Sequence, residues 1–145
     1  MATFNKIADF VENAVESMDL GNDSFVIALT NTAPGSEPTP PTGDGDGVLA
    51  NLTQISYTNC SSRAITTTSS SQTGGTYKLV LADLTLTASG GTVGPFPYIY
   101  NYNDTTTSPA DALVGYYDYG SAITLNDGDS FTIDFDATNG VIQLS

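Results

Sequence analysis

Asp134 and Asp136 stand two positions apart in the run DSFTIDFDA, so in an extended chain their carboxylates project from one face. Paired carboxylates carry out glycoside hydrolysis. A retaining mechanism needs them about 5–5.5 Å apart across a sugar cleft, a spacing that alternate strand positions could supply, with Asp83 or Asp118 approaching from a neighbour. Two features weigh against catalysis. The chain has no tryptophan to floor a sugar cleft, and same-face carboxylates recur on any acidic strand as a solvated surface. Two further acidic runs, GDGDG at Asp44 and Asp46 and NDGDS at Asp127 and Asp129, faintly resemble calcium loops. Neither has the third ligand, the central glycine and the closing glutamate that a full loop needs. No glutamate follows Glu37, and Asp-Gly pairs are what tight turns demand. With no histidine and one cysteine, Cys60, the chain lacks a zinc set, a Ser-His or Cys-His nucleophile and an intrachain disulfide. The residues therefore point to a non-enzymatic protein with no catalytic group, no metal and no cofactor.

Tyrosine offers a different chemistry, adhesion. PFPYIYNYND and GYYDYG contribute Phe96, Tyr98, Tyr100, Tyr102, Tyr116, Tyr117 and Tyr119, and alternation places Tyr98, Tyr100 and Tyr102 on one face. Tyrosine gives an interface contact area with a polar tip, and it equally well closes a sheet core.

These side chains must be positioned by strands. SFVIALT reads as a buried strand over 24–30. Further strands are expected at 49–57, 63–69, 76–88, 93–101, 113–119, 122–125, 130–136 and 141–144. The turns between them carry Gly74-Gly75, Ser89-Gly90-Gly91, Asn126-Asp127-Gly128 and Asn139-Gly140. YKLVLADLTLTAS alternates cleanly except for a break near Ala82-Asp83, where a bulge fits. The opening stretch is different. Phe4, Ile7, Ala8, Val11, Ala14, Val15 and Met18 recur at helical spacing, which predicts an amphipathic helix over 4–18, with Thr3 as N-cap and Gly21 as a left-handed stop. The expected organisation is a single domain: helix within 1–20, first strand within 21–33, a Pro/Gly-rich arm over 34–47, and a β-sandwich over 48–145. The fold class is mainly β, an antiparallel sandwich of jelly-roll type with one N-terminal helix.

Sixteen acidic residues face three basic ones, Lys6, Arg63 and Lys78, for a net charge of −13. Such a chain does not neutralise phosphates, so neither nucleic acid nor an anionic membrane is an expected partner. A basic protein surface would attract it. No run is long and apolar enough to cross a membrane, and acidic residues interrupt the first stretch where a secretory leader would be apolar.

Three longer runs carry a resemblance: MATFNKIADFVENAV with SFVIALTNTAP, then SSSQTGGTYKLVLADLTLTASGGTVGPFPYIYNYND, then LVGYYDYGSAITLNDGDSFTIDFDATNGVIQL. Together they resemble a family of small tailed-phage virion proteins associated with capsid cement or decoration. The resemblance spans Met1 to Leu144 and is weakest over 35–48. It implies a homotrimer on the outside of the head that binds the major capsid protein and clamps its lattice. Contacts are expected from the helix stripe (Phe4, Ile7, Val11, Val15), the arm (Pro38, Pro40, Pro41) and the tyrosine strand (Tyr98, Tyr100, Tyr102). A tail or baseplate component and a carbohydrate- or receptor-binding module are the alternative roles.

Overall fold

The structure, a computed structural model, describes residues 2–34 and 47–145. In chain order the strands and helix are β1 (Phe4–Lys6), α1 (Phe10–Glu16), β2 (Phe25–Thr30), β3 (Ala64–Ile65), β4 (Thr67–Thr73), β5 (Thr76–Leu81), β6 (Leu84–Thr87), β7 (Val93–Asn103), β8 (Leu113–Leu125), β9 (Ser130–Ile133) and β10 (Ile142–Leu144). They form a five-stranded sheet in the order β1-β8-β7-β2-β3, a three-stranded sheet β10-β5-β4 and a pair β6-β9. All pairings are antiparallel. The chain is thus mainly β with one α-helix, as the alternation predicts.

The sheets enclose one continuous core in a sandwich-like arrangement. Phe25, Ile27 and Leu29 of β2, Ile99 of β7, Leu79 and Leu81 of β5, Leu86 of β6 and Ile133 of β9 are all buried within it. Each such side chain removed from water contributes about 1.5–3 kcal/mol before entropy is counted. The break at Ala82-Asp83 is larger than a bulge: it moves the chain from one sheet to another, β5 pairing with β4 and β10, β6 with β9. The expected strands at 113–119 and 122–125 are one strand, β8, which continues through Gly120 at φ +74°.

Two expectations fail. Residues 49–57 are not a strand. A 3-10 turn occupies Leu49–Asn51, and the rest runs beside β2 without forming a strand, joined to it by the Thr30–Gln54 bridge and by the Ile55 N–H, which donates to Leu29 O (3.0 Å). The opening helix is also shorter than its periodicity suggests. Phe4 to Lys6 instead pair with Tyr117 to Gly115 at the sheet edge. Phe4 seats its ring over Gly115, where any side chain would collide with it, and stacks edge-on against Tyr117 at 5.3 Å. Sheet hydrogen bonds and that ring contact outweigh a weak local helical preference. Thr3 is accordingly no cap. The helix starts at Asp9, whose carboxylate accepts the Gly47 N–H at 2.8 Å. It ends at Ser17, and Gly21 is not left-handed. A carboxylate clasp makes the turn into β2 instead: Asp23 accepts the Asp19 N–H (2.9 Å) and the Asn103 amide (2.6 Å).

Candidate binding surfaces

The tyrosine face is largely closed by the chain itself. Tyr98, Tyr100 and Tyr102 pair with Thr30, Ala28 and Val26 and so share their face of the sheet. Tyr100 and Tyr102 are buried, Tyr98 half-buried. The segment after the 3-10 turn folds across β2: the Thr30 hydroxyl donates to Thr53 O (2.7 Å), and the Leu29 N–H donates to the Tyr57 hydroxyl (2.8 Å). The Arg63 guanidinium stacks 3.7 Å over the Tyr57 ring and donates to Ile27 O. Burial raises the Tyr102 hydroxyl above its ordinary pKa, and Arg63 partly offsets that rise. Tyr100 and Tyr102 are therefore core residues and not a contact surface. Pro38, Pro40 and Pro41, like Asp44 and Asp46, lie outside the described residues.

The helix divides its predicted stripe. Ile7 is fully buried, ahead of the helix, and Phe4 is half-buried in β1. The helix anchors itself through Phe10, 1% exposed. Val11 and Val15, one turn apart, face solvent at 47% and 80% exposure. The adjacent row, Ala14 and Met18, lines a groove of about 380 Å³ whose other walls are Leu20, Ser70, Tyr77 and Leu144. Leu144 is itself 43% exposed. The three large exposed hydrophobics among the described residues thus lie on or beside α1.

The carboxylates meet elsewhere. A concavity of about 540 Å³ opens where β1, β8 and the turn from β9 to β10 converge, with Asp83, Asp134 and Asp136 at its wall and Phe4, Tyr117 and Phe135 beneath. Asp83 reaches it from the β5–β6 break and accepts the Phe135 N–H at 2.9 Å. Asp136 closes its own turn, accepting the N–H groups of Thr138 (2.9 Å) and Asn139 (2.8 Å) and the Asn139 amide (2.9 Å). The Asn139 bonds hold its carboxyl below the usual carboxylate range. Asp134 is exposed and bonds to no group among the described residues. Asp118 is not part of this set: it accepts the Gly120 N–H and lines a neighbouring hollow.

Tyr117 is the residue that sequence reasoning missed here. Its ring is buried against Phe4, Phe135 (6.2 Å) and Tyr119 (6.4 Å). Its hydroxyl has no partner among the described residues, yet it is not among the sealed polar atoms of the interior. Tyr117 lines the concavity. Burial raises its pKa well above that of a free tyrosine, and Tyr119, Asp134, Asp136 and Asp83 add to the rise. As for the other acidic run, Asp129 accepts the Asn126 N–H and Asp127 the Gly90 N–H, which is turn chemistry.

No family model, curated protein or solved structure matches this chain.

Proposed function

We propose that the chain is a non-enzymatic capsid cement protein of a tailed phage, which binds the outside of the major capsid protein lattice as a homotrimer and stabilises the head. The residue patterns quoted above support the phage assignment. The observation that carries the adhesive part is the valine pair on α1. A β-domain with a full core keeps Val15 at 80% and Val11 at 47% exposure, beside a groove where Ala14, Met18, Leu20 and Leu144 meet Asp19, Ser70 and Tyr77. Single exposed apolar residues are ordinary, but a ridge and a groove together mark a contact surface. A clamp of this kind stabilises the assembled state because it binds that state and not its parts.

The test is binding to preformed heads that lack the protein. Near-stoichiometric uptake, with a rise in the heads' thermal resistance, is the expected result. Val15→Asp should weaken uptake by about tenfold, the effect of placing a charge in an apolar contact, while leaving the melting temperature of the free protein unchanged. Uptake of a handful of copies, or equal uptake of the variant, would overturn the proposal.

A further inference from the structure

We propose that the concavity between β1 and the turn after β9 is a receptor for one basic side chain of a protein partner, a guanidinium or an ammonium, seated between the Tyr117 hydroxyl and the carboxylates of Asp83, Asp134 and Asp136. This goes beyond lattice docking, since such a receptor acts whichever protein surface presents the cation.

Four observations converge on it. The first is Tyr117: a side chain only 6% exposed that lines the hollow and whose hydroxyl has no partner among the described residues. A phenol oxygen that is not sealed in the interior can accept from a donor that enters the hollow. Second, among the described residues no basic side chain lines the hollow. Lys78 donates to Thr138 O at 3.3 Å and is the smallest influence on Asp136. Third, no metal-holding set occurs among the described residues, and a cation with several directed donors can reach oxygens that stand apart. Fourth, two of the three floor rings are covered: Phe135 and Tyr117 are 1% and 6% exposed, and Phe4 is half-buried. Acceptor oxygens of Asp83, Asp134 and Asp136 share the lining with apolar groups such as Phe4, Ala137 and Val141, which strengthen charge interactions. A guanidinium brings five N–H donors and an ammonium three, and both carry the complementary charge.

The probes are N-acetyl-arginine amide, N-acetyl-lysine amide and the neutral isostere N-acetyl-citrulline amide, titrated into the full chain. The backbone amide resonances of Phe135 and Gly140 report on the hollow. Both cations should shift these resonances, and citrulline should not. Whichever cation binds more tightly identifies the partner residue. Asp134→Asn should weaken the response by about fivefold, the effect of losing a partly exposed charge pair. It leaves the fold intact, because Asp134 is exposed and bonds to nothing among the described residues. Tyr117→Phe should also weaken it, at unchanged ring packing. Asp118→Asn, an equal charge change outside the hollow, should not. The proposal is overturned if neither cation shifts these signals, if citrulline shifts them equally, if Asp118→Asn weakens binding as much as Asp134→Asn, or if neutral monosaccharides bind there and cations do not. Loss of head uptake with the cation response intact would remove lattice docking alone; the converse would remove only the receptor.

Discussion

Asn101 shows how one side chain can work against its surroundings. It lies in the middle of β7, 1% exposed, and both polar atoms of its amide lack partners among the described residues. A buried group left unsatisfied costs about 1–3 kcal/mol. Asn101→Leu, similar in size and without the polar atoms, should therefore raise stability by about 1 kcal/mol, read from chemical denaturation midpoints. Asp136 makes the opposite case. Its carboxylate is held below its ordinary pKa by the Asn139 and Thr138 bonds, so the folded state favours the charged form. That contribution is present above the unfolded value, about 3.9, and is lost as pH falls through the lower folded value. Asp136→Asn should remove this part of the acid dependence, so the stability gap between wild type and variant narrows below pH ~4. The carboxylate pair Asp134/Asp136 and its neighbour Asp83 were legible from alternation and from the Ala82-Asp83 break. Tyr117 was not, because nothing local to GYYDYG says which of its three tyrosines turns inward.

At the scale of elements, the strands were legible where period-two alternation met turn residues. Tyr77, Leu79 and Leu81 lead from the Gly74-Gly75 hairpin, and Phe131 and Ile133 follow the Asn126 to Asp129 turn. The first twenty residues were misread for a physical reason. Phe4, Ile7 and Val11 satisfy helical spacing, but Phe4 is claimed by Tyr117 and Gly115, far along the chain. A seven-residue helix has too few internal bonds to resist. The tyrosine strand was misread because residues 53–63, with no regular pattern, fold over it. Gly115 is the weak point of this arrangement: a methyl group there meets the Phe4 ring and lies 2.7 Å from Asn5 O. Gly115→Ala should detach β1 while leaving the β7–β8 pairing in place. Loss of amide protection at Ile7, whose N–H donates to Val114 O, is the readout.

The whole molecule carries −13 charges over 145 residues, and self-repulsion opposes any assembly of identical copies. Its two kinds of surface should therefore respond oppositely to salt. Raising ionic strength from 0.05 to 0.5 M shortens the screening length from above ~10 Å to a few ångströms. Association of copies into the proposed trimer should strengthen over that range as their mutual repulsion is screened, while capture of a basic side chain by Asp83, Asp134 and Asp136 should weaken. Sedimentation and the resonance titration, run in parallel, separate the two. β1 adds a last point. Ala2, Thr3 and Phe4 form one wall of the acidic hollow, and three residue pairs hold that strand at the edge of its sheet. A guest in the hollow would therefore act as a latch on the N-terminus: each arrival fastens the hem of the sheet, and each departure leaves it free to fray.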